Sequence, residues 1–477
     1  MDAPNLASEL AGILGKENLI SRPEELVVYE CDAYTLEKNT PNFVALPRST
    51  GEVAAVVKLC AKHNIPIIPR GAGTSLSGGV LPVEGGVMIA LTRMNKVLQV
   101  DERNRRALVE AGCVNSWVTN AVRHLGLIYA PDPSSQPACT IGGNVATNSG
   151  GPHTLKYGVT TNHVLGFEMV LPDGEIIWLG TTPDGGEETD GCDLRGAVIG
   201  CEGMFGIVTR VLVRLIRAPE EFKTMLAVFN TVEQASQTVS EIIRSGIVPG
   251  ALEMMDQLIT FAVEAAYHFG FPLDAGAVLI IELDGPKAGL EKQAAMVKEI
   301  CAAQGAREVR IAQTSEERAA LWKCRKRAFG AIGRLSPNFL TQDGVVPRSK
   351  LPQIMEFIQQ TSRECGLRIP NVFHAGDGNI HPLILYDERN PAQVKSAIRA
   401  GDLILEKCVE LGGSVSGEHG IGVEKVDFMK KQFAPADLDA MKKLRLVFDP
   451  EQRCNPHKMF PGSKRCGDFA QKKQIAC

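Results

Sequence analysis

The glycine-rich stretch "PRGAGTSLSGG", residues 69–79, constrains the fold most because of what surrounds it. Before it, "RSTGEVAAVVKLCAKHNIPIIPRGAG" predicts a helix that begins with Ser49 and Glu52 at capping-box spacing, and then a short strand, Ile65 to Ile68. After it, "TSLSGGVLPVEGGVMIALTRM" favours turns and strands and does not open a helix. A Rossmann dinucleotide turn runs directly into a helix, so that fold is excluded, and no P-loop is present.

The same stretch is a candidate anion site. Gly71 and Gly73 free the backbone to adopt positive φ, so that successive N–H groups can converge on a pyrophosphate, and Arg70 could add positive charge. Taken alone, a glycine cluster after a strand can also be only a tight turn.

A second stretch, "CTIGGNVATNSGG" at residues 139–151, repeats the pattern of small residues. Gly142 and Gly143 permit close approach of the backbone to a flat ligand. The polar side chains that could hydrogen-bond its ring edges are those of Thr140, Asn144 and Asn148. Two such loops indicate an extended ligand, and without a Rossmann context a flavin bound by another fold is favoured over nicotinamide.

Length and composition bound the class of protein. The chain has 477 residues, 44% of them hydrophobic, which predicts two or three lobes. Its 51 basic and 55 acidic residues give a net charge of -4, which argues against a surface that binds nucleic acid and against a polybasic membrane anchor. Neither a signal peptide nor a transit peptide is visible and no apolar run reaches spanning length, so a cytoplasmic protein is expected.

The 13 cysteines include no C-x-x-C pair, so neither a zinc knuckle nor an iron–sulfur ligand set is encoded. They are expected to be buried, reduced thiols. Cys477 is the last residue and does not form a prenylation box.

The predicted class is α+β, in three parts: residues 1–217, 218–410 and 411–477. In the second part, "TVEQASQTVSEIIRSG" predicts a helix and "AVLIIELDG" predicts a strand, which indicates a separate α+β lobe. The third part contains short, glycine-punctuated pieces that are typical of loops positioned on a scaffold.

The stretch "NVFHAGDGNIHPLILY" places two histidines symmetrically around Asp377 and Gly378. If these two residues form the centre of a hairpin turn, His374 faces His381 directly, with Cβ atoms about 4.5–5.5 Å apart. Both rings could then bind one metal ion. The alternatives are that the histidines pack around the turn, or that they hydrogen-bond a substrate without a metal.

A third ligand is available in "SGEHGIG", residues 416–422. Glu418 lies there between glycines, with His419 beside it. Together with His374 and His381, Glu418 makes a two-histidine, one-carboxylate set with open coordination positions.

Five motifs carry a resemblance to a known family: "PRGAGTSLSGG", "APDPSSQPACTIGGNVATNSGG", "GDGNIHP", "SGEHGIG" and "NPHKMFP". They resemble the vanillyl-alcohol-oxidase-type, or PCMH-type, flavoproteins. Within that family the chain is most similar to the FAD-linked subunits of glycolate oxidase (glycolate dehydrogenase), and the D-lactate and D-2-hydroxyglutarate dehydrogenases share the same blocks. The likeness runs from "YECDAYT" to "NPHKMFP". It implies a two-lobed FAD-binding domain, an α+β cap domain and a C-terminal segment that returns to the flavin.

The resemblance also implies the cofactors. Relatives with covalent flavin carry a histidine where Thr74 stands, so FAD is expected to be non-covalent. Related dehydrogenases hold a divalent metal with residues matching His374, His381 and Glu418, and zinc is the first candidate. The residues expected to hold FAD are Arg70, Gly71, Ala72, Gly73, Thr74, Ser75, Pro131, Asp132, Ser134, Thr140, Gly142, Gly143, Asn148, Gly203, Ile207 and Asn455.

The stretch "LWKCRKRAFGAIG", residues 321–333, is expected to contain the residue that binds the substrate carboxylate. Arg325 matches the substrate-clamping arginine of the family, while Arg327 is expected to be a solvated or structural charge. D-2-hydroxyglutarate enzymes carry a lysine for the second carboxylate where Gln342 precedes Asp343 here, and a polar residue where Leu383 stands. Both differences favour a short, apolar or absent side chain, as in glycolate or lactate.

The expected reaction is oxidation of glycolate, or secondarily D-lactate, to the 2-oxoacid. Arg325 would fix the carboxylate, the metal would lower the pKa of the hydroxyl, His419 would act as general base, and the hydride would pass to flavin N5. Electrons would leave through a second flavin-type subunit and an iron–sulfur subunit, with indirect membrane association, or to a quinone. The alternatives are a non-catalytic flavin-binding relay subunit and an ether-lipid synthase of the same superfamily.

Overall fold

The computed structural model describes residues 3–186 and 191–462, which form two compact units. The first comprises the described residues of Met1–Ser149, Val159–Ala218 and Glu418–Cys477, and the second comprises Gly150–Gly158 and Pro219–Gly417. Cys477 lies outside the described residues. Each unit contains both helices and strands, and the α+β class predicted from the sequence is confirmed.

The strands are, in chain order, β1 Leu19–Ile20, β2 Phe43–Ala45, β3 Ile67–Arg70, β4 Val87–Ala90, β5 Val97–Asp101, β6 Arg106–Glu110, β7 Leu127–Ile128, β8 Val164–Val170, β9 Ile176–Gly180, β10 Ile207–Arg214, β11 Ile216–Arg217, β12 Glu221–Phe229, β13 Ala251–Asp256, β14 Ala277–Gly285, β15 Glu308–Ile311, β16 Asn338–Thr341, β17 Gly344–Val345, β18 Asn371–His374 and β19 Asn379–Tyr386. The α-helices are α1 Ala3–Leu14, α2 Pro23–Leu26, α3 Thr50–Lys62, α4 Asn115–Val122, α5 Ile141–Thr147, α6 Thr154–Tyr157, α7 Leu194–Val198, α8 Val232–Arg244, α9 Gln257–Tyr267, α10 Lys287–Ala303, α11 Ser315–Lys326, α12 Ala328–Ile332, α13 Leu351–Cys365, α14 Pro391–Glu410, α15 Met429–Gln432 and α16 Pro435–Phe448.

The first unit contains two larger sheets and a two-stranded pair of β11 and β7. One sheet has the order β1-β2-β4-β3, and the other has the order β5-β6-β10-β8-β9. Strands β2, β4 and β3 run parallel, whereas the five-stranded sheet is antiparallel throughout. Helix α3 begins as predicted, because Ser49 Oγ accepts the N–H of Glu52 at 3.2 Å.

The chain after β3 confirms the prediction that no Rossmann turn is present. From Gly71 the backbone passes through turns and bends, and the next regular element is β4 at Val87. Near the C-terminal end, the chain returns to the start of β3. The N–H of Ile67 donates to Arg453 O at 2.9 Å, and the N–H of Asn455 donates to Ile67 O at 2.8 Å. The motif "NPHKMFP" is thereby fixed beside the strand that leads into the glycine loop.

The second unit is built on one eight-stranded sheet. Its order is β15-β12-β14-β13-β18-β19-β16, and β17 pairs with β19 beside β16. Strand β14 is buried along all but its last residue, which requires packing on both faces. On one face, residues of β12, β14, β18 and β19 pack against α9 and α12, and helices α8 and α10 also pack against β12 and β14. The helix predicted from "TVEQASQTVSEIIRSG" and the strand predicted from "AVLIIELDG" are thus α8 and β14.

None of the described helices combines the length and apolarity that a bilayer crossing requires. The described cysteines form no disulfide with one another, and all of them except Cys31, Cys192 and Cys365 are buried.

Candidate active site

The loop that follows β3 in the first unit offers main-chain N–H groups to a ligand. Among the described residues, none accepts a hydrogen bond from the N–H of Ala72, Gly73, Thr74 or Ser75. Gly73 has φ +74°, and a Cβ there would lie 2.1 Å from Nη2 of Arg70. Adjacent N–H groups without protein acceptors bind anions readily. The loop therefore fits the pyrophosphate of a dinucleotide such as FAD.

Arg70 folds back over this loop. Its Nη1 donates to Cys31 O at 3.0 Å, its guanidinium lies 5.4 Å from the centroid of the Tyr29 ring, and burial lowers its pKa. Asp32 lies nearby, because the N–H of the next residue, Ala33, donates to Ser75 O at 2.9 Å. Burial raises the pKa of Asp32 to about 6, so the negative charge beside the anion loop is lost as the pH falls through that value.

The second glycine loop leads into α5 and lies against the first. Thr140 caps α5, since its Oγ1 accepts the N–H of Gly143 at 3.3 Å. A Cβ at Gly71 would lie 2.3 Å from the same Oγ1, so the two loops touch at this point. Gly142 is packed against the end of β6: its N–H donates to Ala111 O at 2.7 Å, and a Cβ there would lie 2.7 Å from the Ala111 Cβ.

The other residues predicted to hold FAD occupy different environments in the same unit. Pro131 and Asp132 are buried, and Ser134 is half-buried. Gly203 has φ +74° and packs on Pro69, where a Cβ would lie 2.4 Å from Cγ. Asn148 has φ +49°, and its Oδ1 accepts the N–H of Thr161 at 2.9 Å. The side chain of Ile207 belongs to the hydrophobic core, so only its main chain could contact a ligand.

Asn455 connects two of the motif loops. It is 1% exposed, and its Nδ2 donates to Gly79 O at 2.8 Å and to Glu202 O at 2.7 Å. Its Oδ1 has no hydrogen-bond partner among the described residues. The asparagine therefore holds the end of the first glycine loop against the chain that precedes β10.

Glu202 holds the loop that carries His419, a role that the sequence did not reveal. Its buried carboxylate accepts the N–H of Ile421 at 2.6 Å and of Gly422 at 2.8 Å. Ser77 makes a third hydrogen bond to this loop, because its Oγ donates to His419 O at 3.0 Å. Burial raises the pKa of Glu202, and the two N–H groups oppose that rise by favouring the carboxylate.

Replacing Glu202 with glutamine is expected to lower the free energy of unfolding by about 1–3 kcal/mol. A carboxamide has only one acceptor oxygen, so one of the two buried N–H groups would lose its partner. Urea unfolding followed by circular dichroism measures the change, with Glu102→Gln, an exposed position in the same unit, as the matched control. Equal midpoints for the Glu202 variant and the wild-type protein would contradict the expectation.

In the second unit, the hairpin that carries the two histidines has a different register from the predicted one. His374 pairs with Asn379 and Val372 pairs with His381, so His374 and His381 are not directly opposed. The connection is a four-residue loop, Ala375 to Gly378, closed by hydrogen bonds of 3.3 and 3.2 Å from the N–H groups of Asp377 and Gly378 to His374 O. A four-residue loop in place of a two-residue turn shifts the register by two, which leaves both histidines on one face.

The two imidazoles meet as diagonal neighbours. Their ring centroids are 5.2 Å apart with the planes nearly perpendicular, and one ring nitrogen of each lies within 4.8 Å of the other. His374 Nδ1 lies 2.7 Å from Glu253 Oε1, and His381 Nδ1 lies 3.4 Å from Gln342 O. Both acceptors can only receive a proton, so each ring presents Nε2 as a ligand nitrogen. The histidine pair therefore fits a divalent metal.

Asp343 binds the loop that contains Ser416 and Gly417 and lies on the same side as the two histidines. It is fully buried, and a carboxylate oxygen lies within 4.8 Å of a ring nitrogen of His381. Its Oδ2 accepts Ser416 Oγ at 2.7 Å and the N–H of Gly417 at 3.1 Å. Glu418 is the next residue in the chain and opens the last segment of the first unit, where His419 Nε2 lies 3.8 Å from Glu418 Oε1.

Arg325 is buried, whereas Arg327 is not. Arg325 is 1% exposed on α11, its Nε lies 2.6 Å from Glu253 Oε2, and its Nη2 lies 3.5 Å from His374 Nδ1. Its Nη1 makes no hydrogen bond to a described residue. Arg327 is exposed and lies 5.5 Å from the Tyr267 ring centroid. A buried guanidinium with an unpaired N–H beside the histidine pair can receive an anion.

Leu383 and Gln342, the two residues that the sequence linked to the size of the substrate, are both buried. Leu383 lies in the hydrophobic cluster with α9 and α12, on the same face of β19 as His381. Gln342 is 3% exposed, and its side chain approaches Gly401 of α14, where a Cβ would lie 2.5 Å from Nε2.

Two protein families match the chain. The family described as FAD binding domain matches residues 41–180, and the FAD linked oxidases, C-terminal domain, match residues 218–459. The second match covers half of the chain, and together the two span most of both units.

Curated relatives extend over nearly the whole length. Glycolate oxidase subunit GlcD of Escherichia coli (strain K12) is 44% identical over 451 residues, which cover 94% of this chain and 90% of that protein. Glycolate oxidase subunit GlcD of Bacillus subtilis (strain 168) is 39% identical, covering 98% of each. D-lactate dehydrogenase of Anaerostipes hadrus is 34% identical, covering 88% of this chain and 90% of that protein.

Solved structures share the fold at lower identity. p-Cresol methylhydroxylase with substrate bound superposes with a TM-score of 0.82 at 18% identity, covering 96% of both chains. Alkyldihydroxyacetonephosphate synthase gives a TM-score of 0.76 at 22% identity, covering 95% of this chain and 86% of that one. The predicted PCMH-type fold is thus confirmed. The chain belongs to the FAD-linked oxidases, and it is an FAD-dependent oxidoreductase related to glycolate oxidase subunits and D-lactate dehydrogenases.

Proposed function

We propose that the protein oxidises a short 2-hydroxyacid to the 2-oxoacid, with glycolate as the first candidate and D-lactate as the second. One observation carries the proposal: on one face of the second unit, two imidazoles that present Nε2 adjoin a buried arginine with an unpaired N–H. A metal-binding pair next to an anion-binding cation suits a substrate whose carboxylate and hydroxyl are on adjacent carbons. The identity to glycolate oxidase subunits supports the same chemistry.

Arg325 binds the substrate carboxylate in this proposal. Its guanidinium is already oriented by Glu253, so little side-chain freedom remains to be lost when an anion arrives. The charge of Glu253 offsets that of Arg325, which leaves the pair neutral until substrate binds. Nη1 makes no hydrogen bond to a described residue, and Nε faces Glu253 Oε2 at 2.6 Å as an ion pair without hydrogen-bond alignment.

His374, His381 and Glu418 hold a divalent metal, with zinc as the first candidate. The support lies in the Nδ1 contacts of both histidines and in the position of Glu418, one residue after the Gly417 N–H that Asp343 accepts. When bound, FAD supplies the hydride acceptor and the metal supplies a Lewis acid for the hydroxyl oxygen.

His419 takes the hydroxyl proton as general base. An imidazole is suited to this role because its ordinary pKa, about 6.5, lies near physiological pH. Its main chain is anchored by Ser77 and, two and three residues on, by Glu202, so that the ring is carried on a fixed loop. Short substrates are favoured because Leu383 and Gln342 place no cation for a second carboxylate.

Electrons accepted by bound FAD would pass to partner subunits or to a quinone. The E. coli and B. subtilis relatives are named as subunits of glycolate oxidase, which supports a multi-subunit enzyme. We propose a second flavin-type subunit and an iron–sulfur subunit as partners, since the sequence encodes no iron–sulfur ligand set. Any membrane association would then arise through that complex.

Anaerobic titration of the flavin absorbance tests the proposed function. Glycolate or D-lactate is expected to bleach the flavin of the purified protein. L-lactate and D-2-hydroxyglutarate are expected to do so at least about tenfold more slowly, because a buried polar group left unpaired costs on the order of 1–3 kcal/mol. Chelation should abolish bleaching and zinc should restore it. Bound FAD that none of the four acids reduces, with zinc present, would reject the proposal and favour a non-catalytic relay subunit.

A further inference from the structure

A carboxylate that the sequence did not single out joins the two halves of the proposed site. Glu253 lies in the middle of β13 between Leu252 and Met254, and it is fully buried. Its Oε1 lies 2.7 Å from His374 Nδ1, and its Oε2 lies 2.6 Å from Arg325 Nε. One side chain thus touches the proposed metal ligand and the proposed substrate clamp.

The register between β13 and β18 explains why Glu253 contacts His374. Glu253 and His374 are directly paired on the neighbouring strands β13 and β18, so their side chains emerge on one face. Arg325 reaches the same point from the last turn of α11. A carboxylate in the centre of an apolar strand is costly to bury, and the two contacts are what offset that cost.

We propose that Glu253 is a positioning residue that couples metal retention to substrate-anion binding. The inference rests on the proposed function, because it assumes that His374 binds metal and that Arg325 binds the carboxylate. Glu253 keeps the proton of His374 on Nδ1, so that Nε2 is the nitrogen that would bind a metal ion. Its Oε2 also forms an ion pair with Arg325 at Nε, and Nη1 stays without a hydrogen bond to a described residue and can donate to the anion.

The second histidine provides an internal comparison. His381 Nδ1 faces a neutral main-chain carbonyl, Gln342 O, at 3.4 Å, which is longer than the contact of His374 with the charged Glu253. A charged acceptor raises the basicity of the imidazole more than a neutral one does, and such outer carboxylates contribute 10- to 100-fold in metal affinity. The metal affinity is therefore expected to depend on Glu253.

Zinc affinity of the FAD-loaded, full-length protein tests the inference. Competition with a chromogenic chelator should give a zinc Kd about 10- to 100-fold higher for Glu253→Gln than for the wild-type protein. Glu282→Gln is the matched control: Glu282 is equally buried on the adjacent β14, but its partners are Arg318, Trp322, Thr224 and His153. Its zinc Kd should stay within about threefold of the wild-type value.

Glu253→Gln leaves Arg325 as an unpaired buried charge and could impair folding. The double variant Glu253→Gln/Arg325→Gln removes both charges and should show the same loss of zinc affinity. Equal zinc affinity in either folded variant and in the wild-type protein would overturn the role of Glu253 while leaving the proposed function intact. Absence of zinc binding by the FAD-loaded wild-type protein would overturn the proposed metal set, and the inference with it.

Discussion

Replacing His381 with alanine is expected to abolish stoichiometric metal binding and to lower turnover with glycolate about 1000-fold. His381 contributes one of two imidazoles that lie within 4.8 Å of each other, and a single histidine with one carboxylate holds a divalent ion poorly. Without the ion, the developing negative charge on the hydroxyl oxygen loses several kcal/mol of stabilisation, which corresponds to a rate loss of this size. Metal analysis of the purified variant and steady-state kinetics measure the two effects.

The control is His268→Asn, an exposed histidine in the same unit at φ +54°, where asparagine is well tolerated. This variant should keep both its metal and its turnover. FAD content should be unchanged in both variants, because the proposed FAD residues lie in the first unit. Full turnover by metal-free His381→Ala would show that the histidine pair acts in another way, such as direct hydrogen bonding to the substrate.

The sequence predicted the shared face of the two histidines but not their register. The Asp377–Gly378 pair is compatible with both a two-residue turn and a four-residue loop, and local composition does not decide between them. Side chains alternate along a strand with a period of two, so a shift of two residues preserves the face and loses only the direct opposition. The prediction of a common face was therefore robust to an error in the turn, whereas any predicted distance was not.

Glu253 and Glu202 could not be found from the sequence for a different reason. Each lies in a locally ordinary stretch, "ALEMMD" and "GCEGMFG", and its partners are more than 70 residues away in the chain. Cross-strand pairing and loop packing bring them together, and neither leaves a periodic or spaced signature. Helix α3 and strand β14, by contrast, follow from their own cap and apolar pattern.

The sequence also did not predict that the segment Gly150–Gly158 belongs to the second unit. This segment continues directly from the second glycine loop, yet it packs with the second unit, where Tyr157 and Lys156 contact Asp284 and His153 contacts Glu282 at 3.3 Å. The acidic partners, Glu282 and Asp284, are two residues apart in β14. This spacing is ordinary at the end of a strand, so nothing in the sequence indicates their partners.

Replacing His419 with alanine is expected to lower turnover by at least about 100-fold without releasing FAD. Loss of a general base typically costs two to four orders of magnitude in rate. The loop should survive the substitution, because its ties to Ser77 and Glu202 use the main chain of residues 419, 421 and 422 and not the imidazole. Stopped-flow reduction of the flavin by glycolate measures the loss in a single turnover, independently of any electron acceptor.

Two comparisons separate a catalytic role for His419 from a structural one. His124→Ala, at an exposed position in the same unit, should reduce flavin at the wild-type rate. Imidazole added to His419→Ala should restore part of the lost rate, because a diffusible base can replace the missing ring in the space that it leaves. A purely structural role predicts loss of FAD or of thermal stability with no rescue. Flavin reduction at the wild-type rate by His419→Ala would remove this residue from proton transfer and leave the base to another group near the substrate hydroxyl.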